Sequence, residues 1–421
     1  MTNGSASLSP RLDASRSSSV SSFDLAIRNA RTRGASDLTD IGITAGRIAA
    51  MHSRLGPAAR DVDAAGRLVT PSFVDPHLHL DKVYTLRMLD EEALRAYHGA
   101  EMAEAHLAID LAARVKERYH RDWILPNVRT ALREAVTFGV THVRAFADVD
   151  RRARLEGVAA LLQARTEFAR EVTVEVVAFP QEGVVREPGA AALVREAVER
   201  GADVVGGIPW IEASPRDAQA HIDAMFQIAV DSDRPISMLV DDAGNPALRT
   251  LELLARKTID AGWEGRVVAH HARAMARYDA SYLRDIIALL QAARLAVVTN
   301  PHTGPLHVPV RDLMAAGITV CLGQDDISDA YYPYGRHNML EVAFLASHLF
   351  WMTTEHDRER LYDMVTRDAA RALGLPPHEL RPGGAADLVV LEAPDLLEAF
   401  RHHGPPHAVI RQGQLVAAVE G

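Results

Sequence analysis

Between residues 72 and 323 the chain alternates short, mainly apolar runs with longer stretches whose apolar positions recur every three to four residues. The first pattern is that of a strand buried on both faces, the second that of an amphipathic helix. Eight runs have the strand pattern: "SFVDPHLH" (72–79), "VTHVRAFADV" (140–149), "VTVEVVAFP" (172–180), "ADVVGGIP" (202–209), "PISMLV" (235–240), "RVVAHH" (266–271), "LAVVTN" (295–300) and "ITVCLG" (318–323). Helical segments separate them, such as "AALVREAVERG" with Gly201 at its C-terminal end. Eight βα units predict a closed (β/α)₈ barrel of the TIM type. An open doubly wound sheet is the alternative; the even run of eight and the lack of a Gly-rich phosphate loop argue for closure.

The flanks read differently. Residues 23–71 and 382–421 hold short strands joined by turns, with Ala45-Gly46 and Gln412-Gly413 placed as hairpin turns. We expect both ends to build one small composite β-sandwich domain beside a catalytic barrel spanning 72–381. Residues 1–22 are Ser-rich without an apolar core and read as a disordered tail.

Bulk composition narrows the function classes. A net charge of −10 argues against nucleic acid and anionic membrane as partners. No run reaches the ~20 apolar residues of a membrane helix. The single cysteine, Cys321, cannot form an internal disulfide and sits in a strand, so we expect an inert core thiol and a cytoplasmic protein. The expected partner is a small heterocyclic substrate, and the expected assembly a homo-oligomer.

In such a barrel the C-terminal strand ends form the active site. Here those ends are His77 and His79, Asp148, Gln181, Trp210, Asp241 and Asp242, His270 and His271, Asn300 and His302, and Asp325 and Asp326. Strand ends are often polar because they meet water, but this density of histidines and paired acids points to chemistry. Side chains at i and i+2 share a strand face, so His77 and His79 point together into the barrel, as a divalent metal requires. Strands one and eight are neighbours in a closed barrel, which brings Asp325 to the two histidines.

The stretches "PSFVDPHLHLDK", "VVAFPQEG", "GADVVGGIP", "VVAHHARAM", "GITVCLGQDDISDAYYPYGRHNML" and "GGAADLVVLE" are in order along the chain. Together they resemble the cytosine deaminase branch of the amidohydrolase superfamily. The resemblance implies a hydrolase of cyclic amides or amidines carrying one divalent metal ion, zinc or iron. It makes His77, His79 and Asp325 metal ligands and His271 the residue that orients the attacking water or polarises the reacting carbon. It makes Gln181 a hydrogen-bond partner of the heterocycle, and Asp326 the second acid beside Asp325. The chain's lysines, at 82, 116 and 257, lie off the strands, which agrees with one metal rather than a lysine-bridged pair.

Strand five departs from this pattern. The family motif there is His-x-Asp-Glu, a ligand and a proton shuttle, whereas this chain has Leu239, Val240, Asp241 and Asp242. Phe146 and Trp210 likewise stand where relatives have histidines and are expected on an apolar pocket wall, while Tyr331, Tyr332 and Tyr334 follow strand eight in a loop where an aromatic either covers a planar substrate or packs the loop against the barrel. Three readings follow. In the first, metal is held by His77, His79 and Asp325, with His271, His270 or His302 completing the shell and Asp242 as acid/base. In the second, Asp242, Asp325 and His271 carry out lyase, isomerase or cyclisation chemistry without the full metal site. In the third, the pocket binds a ligand without turnover. The first is the working expectation.

Overall fold

The computed structural model describes Met1, residues 23–89, Arg95 and residues 102–418. Apart from Met1, the stretch read as a tail lies outside the described residues. All eight expected barrel strands form, in chain order: Phe73–Leu78, Val140–Asp148, Thr173–Phe179, Val204–Gly207, Ile236–Val240, Val267–His271, Ala296–Thr299 and Val320–Leu322. They make one parallel sheet whose neighbours follow chain order. The ring is closed by a parallel bridge between Leu78 and Asp325. At the seam, His79 N–H donates to the Asp325 carbonyl and Asp325 N–H to the His77 carbonyl, both at 2.8 Å. The contact that closes the barrel therefore also joins three of the predicted site residues.

The strands are apolar because both faces are buried, one against the outer helices and one inside the barrel. Val74, Val268, Val298 and Cys321 fill the inner layer away from the site, and Ala369, Ala370 and Leu373 plug it from the C-terminal side of the sequence. Cys321 is fully buried and its thiol is pushed well above its ordinary range by burial, which agrees with an inert core position. One residue of this layer needs to be glycine: a Cβ on Gly323 would lie 2.7 Å from the His77 Cβ and 2.6 Å from the Asn300 amide oxygen. The backbone approach that seats His77 depends on that missing side chain.

The flanking segments form two four-stranded sheets. One comprises Leu25–Ala30, Thr39–Thr44, Arg47–His52 and Asp61–Asp63; the other comprises Val69–Pro71, Leu388–Val390, Ala408–Arg411 and Gln414–Ala418. Leu25, Ile27, Ile41 and Ile43 from the first pack with Val69, Leu388, Val390 and Ile410 from the second, giving the sandwich core. Both expected hairpin turns are present with left-handed backbone at each central residue: φ is 50° and 74° at Ala45-Gly46, and 48° and 76° at Gln412-Gly413. That twist matches the strands the turns connect. Among the described residues, no helix is long and apolar enough to cross a membrane.

Candidate active site

The strand ends converge on a narrow pocket at the barrel mouth. Its lining includes His79, His271, Asp242, Asp325 and Asp326, together with Gln181, Trp210, Leu239 and Tyr331. His77 lies directly behind His79, fully buried, with the two rings edge to face at 5.1 Å.

His77, His79 and Asp325 each direct one ligand-type atom to a common region, all within 4.8 Å of one another. His77 Nε2 lies 2.9 Å from Asp325 Oδ1, and His79 Nε2 lies 4.0 Å from it. The His77 Nε2 atom is fully buried, and its approach to Asp325 is the shortest in the group. Its other nitrogen, Nδ1, is 2.7 Å from His270 Nδ1. With the proton on Nδ1 and donated to His270, the Nε2 lone pair is left directed at the same region as the carboxylate. Bonds of 2.0–2.2 Å to nitrogen and oxygen in a tetrahedral shell separate ligand atoms by about 3.5 Å. The residues present therefore fit a divalent ion.

Their protonation states fit as well. Burial holds His79 neutral, with the Lys82 charge adding to the effect. Burial works against ionisation of Asp325, yet the surrounding imidazoles, His77 among them at hydrogen-bonding distance, keep the carboxyl well below its usual range. Neutral imidazoles and an ionised carboxylate are the forms that bind metal. Thr303 donates to Asp325 Oδ2 at 2.6 Å and accepts from Arg273 Nη2 at 3.0 Å, which leaves Oδ1 facing the histidines. Partners of this kind orient a ligand from behind.

Of the three histidines expected as alternatives for completing the shell, only His271 faces the cavity. Its Nε2 is 3.7 Å from Asp325 Oδ1 and its Nδ1 is 3.9 Å from Asp242 Oδ1; burial keeps it neutral. His270 is engaged behind His77. His302 is turned away, its Nε2 3.0 Å from the Gln324 carbonyl and its ring against Tyr332. Phe146 also differs from expectation: it does not line the cavity but packs one layer below, 4.3 Å from the His77 ring and 5.4 Å from His79. Tyr334 is exposed, and of the three tyrosines only Tyr331 reaches the pocket.

The two aspartates of strand five separate in role. Asp241 adopts φ 46° and turns outward, accepting from Thr250 N–H at 2.7 Å, the Thr250 hydroxyl at 2.6 Å, Leu251 N–H at 3.2 Å and the Tyr278 hydroxyl. It caps the start of helix Thr250–Asp260 with a carboxylate, where free N–H groups and the helix dipole favour negative charge. Asp242 turns inward. Its carboxyl is pushed up to about 7 by burial, with Arg273 pulling it down and the Asp325 charge raising it. Arg273 Nη1 sits 2.9 Å from Asp242 Oδ1. Leu239 takes the position of the missing histidine and joins Trp210, Ile208, Phe146 and Phe179 in an apolar cluster.

Gln181 is held by a buried charge network. Lys82 Nζ bonds both Asp148 oxygens (2.9 and 3.1 Å) and the Gln181 amide oxygen at 3.3 Å. Lys116 closes the network onto Asp148, Asp150 and Glu182. Asp148, a strand-end acid by position, is thus a structural counter-ion. The Asp326 carboxyl is pushed well above its usual range by burial and by the charges of Asp325 and Asp329. Sequence reading missed Arg273, Thr303 and Ile109. Arg273 stands two residues after His271 in "HHAR", the one local clue, while Ile109 arrives on a separate helix, Met102–Ala112.

Comparison with known proteins agrees with this geometry. The amidohydrolase family matches over residues 60–126 and 100–417. An N-isopropylammelide isopropyl amidohydrolase from Pseudomonas sp. (strain ADP) is 30% identical over 400 residues, covering 94% of this chain and 98% of its own. A 5-methylcytosine deaminase from Klebsiella pneumoniae, liganded with 5-fluorocytosine, superposes with a TM-score of 0.86 at 31% identity, over 94% of this chain and 98% of that one. An N-isopropylammelide isopropylaminohydrolase from Burkholderia multivorans gives 0.83 at 30% identity, with the same coverage. From its barrel-rim site to its matched length, the chain belongs to the amidohydrolase family, in the cytosine deaminase-like branch.

Proposed function

We propose that the protein hydrolyses a C–N bond of a small cyclic amide or amidine, using a divalent ion held by His77, His79 and Asp325. The observation that carries this reading is the meeting of two buried imidazoles and a carboxylate whose ligand-type atoms lie within 4.8 Å of one another. Zinc and iron(II) both suit two imidazoles and a carboxylate. A bound ion supplies Lewis acidity, lowering the pKa of water to about 7.

The protein's own groups divide the remaining work. Asp242, poised near neutrality, takes the proton from the attacking water and returns it to the leaving nitrogen. His271, neutral and between Asp242 and Asp325, orients the reacting atoms. Gln181 has its amide oxygen committed to Lys82, so it offers its N–H₂ to an acceptor on the ring. Asp326, its carboxyl pushed well above the usual range, lines the pocket as a second hydrogen-bonding group for the ring. Leu239 leaves the shell one histidine short of the family pattern. Three protein ligands with an open position remain a normal catalytic arrangement for zinc.

The test is metal analysis of the purified full-length protein, with turnover measured on a panel of aminated pyrimidines and triazines. We expect one equivalent of metal, C–N hydrolysis of at least one member, and loss of both in His77→Ala. Metal-free protein whose turnover is indifferent to chelators would overturn the reading in favour of acid/base chemistry by Asp242 and His271.

A further inference from the structure

The chain has four tryptophans, and three of their indole N–H groups are satisfied. Trp123 Nε1 donates to the Arg118 carbonyl at 2.6 Å, and Trp263 Nε1 to the Arg234 carbonyl at 3.3 Å. Trp351 is 82% exposed and meets water. Trp210 is the exception. It is 4% exposed, and its Nε1 is buried with no hydrogen-bond partner among the described residues. An indole N–H can only donate, and a buried donor left unpaired is costly and rare.

Trp210 also lines the pocket, following strand four between Gln181 after strand three and Asp242 after strand five. Its neighbours in that wall, Ile208, Leu239 and Ile109, are hydrocarbon and give the indole nothing to bond. The ring is held in place. His106 on helix Met102–Ala112 stacks on it, with centroids 5.5 Å apart and planes 27° from parallel. The short turn Pro209–Ile211 that carries it is fixed at both ends on the fully buried His221. Ile208 N–H donates to His221 Nε2 at 3.1 Å, and His221 Nδ1 lies 2.8 Å from Glu212 Oε1. Glu212 in turn accepts from the N–H groups of Val184, Val185 and Arg186 in the loop after Gln181.

We propose that Trp210 Nε1 is a specificity-determining donor: it bonds an acceptor on the substrate ring, an exocyclic oxygen or an unprotonated ring nitrogen. The inference rests on the hydrolase reading above, in which Gln181 offers its own N–H₂ to the ring. Two donors on adjacent strands then face the substrate, so the matching edge carries two acceptors. A ring that sets a C–H against Trp210 leaves the donor orphaned. One that sets an amino group there opposes N–H to N–H, and both are selected against.

The experiment uses the metal-loaded full-length protein and three rings that share one amino group. Cytosine carries a ring oxygen that 4-aminopyrimidine lacks, and 5-azacytosine has a ring nitrogen where cytosine has a C–H. The kcat/KM of wild type and Trp210→Phe is measured on each, and the ratio of ratios cancels intrinsic ring reactivity. We expect the preference for one acceptor over its replacement to fall about 3- to 10-fold in Trp210→Phe. Trp210→His, which keeps an N–H, should recover part of it. In parallel, protein labelled with ¹⁵N-tryptophan is titrated with the same compounds, since hydrolysis leaves the distinguishing acceptors in place. The indole signal missing from both variants should move downfield with the acceptor-bearing rings. If neither variant folds, Trp123→Phe, Trp263→Phe and Trp351→Phe identify the other three signals. An unmoved signal, or turnover without coupling at either position, overturns the inference; continued turnover leaves the hydrolase reading intact. A signal that moves, with no hydrolysis across the whole panel, supports the donor and overturns the hydrolase reading. An unmoved signal with no hydrolysis overturns both.

Discussion

Replacing Arg273 with Met removes a buried charge while keeping an apolar stem of similar reach. Arg273 is 6% exposed, and its guanidinium lies 2.9 Å from Asp242 Oδ1 and 3.9 Å from Asp325 Oδ2. Burial pushes the Asp242 carboxyl up and Arg273 opposes it, the balance falling at about 7. An adjacent guanidinium lowers a carboxyl pKa by about 1–3 units. Losing it raises Asp242 by the same amount. Since Asp242 accepts a proton only when ionised, the acid limb of kcat/KM against pH should move up by about 1–3 units. At pH 7 this lowers activity by about 5- to 500-fold, with recovery toward the wild-type level in alkaline buffer.

Stability should follow the same group. Its folded-state pKa lies above the ordinary carboxyl value, so its contribution is present in acid and lost as pH rises through about 7. In Arg273→Met the loss continues to higher pH and adds about 1.4–4 kcal/mol once the pH passes the variant's own folded pKa, about 8–10. The assay is a pH–rate profile from 5 to 10 beside thermal melts at each pH, with Arg273→Lys included. Lysine should bring the limb back to within about one unit of wild type. A limb that stays in place while activity drops at all pH values would refute the assignment of Asp242 as the titrating base.

The remaining predictions concern separate parts of the molecule. Asp325→Asn should drop bound metal below a tenth of an equivalent by elemental analysis, and metal at one hundred times its Kd should raise the wild-type Tm by about 3 °C. Leu239→His supplies the absent ligand, and metal affinity by competition with a chromophoric chelator should rise at least tenfold. Asp241→Ala should cost about 2–4 kcal/mol in urea unfolding, because four bonds to Thr250, Leu251 and Tyr278 are lost, with the pH–rate limb unmoved. His142, far from the site, is pulled down to about 3 by burial, with Arg411 adding to the effect. Its stabilisation is complete above its ordinary range and is lost as pH falls toward 3, so His142→Gln should flatten the acid decline of Tm.

Much of the architecture was legible in the chain because it is encoded locally. The apolar runs are strands since both of their faces are dry, and each observed strand lies within two residues of its expected limits. His77 and His79 could be paired because a strand alternates, and Asp325 could be added because closure makes strands one and eight neighbours. The turns at Ala45-Gly46 and Gln412-Gly413 were readable because left-handed backbone has a strong residue preference.

The choice within each polar pair was not legible. Asp241–Asp242, His270–His271 and Asp325–Asp326 sit where the strands end, and Asp241, His271 and Asp325 adopt φ of 46°, 64° and 67°. Left-handed backbone breaks the alternation that allows side-chain direction to be inferred from sequence. Tertiary contacts alone decided that Asp241 caps a helix, that Asp242 faces the cavity beside Arg273, and that His270 supports His77 while His271 enters the pocket. The sequence by itself determined the barrel, the meeting of His77, His79 and Asp325, and the apolar residue Leu239 at the end of strand five. Only the folded structure decided what that leucine does, since its partners in the apolar wall come from strand four and from a helix about 130 residues earlier in the chain.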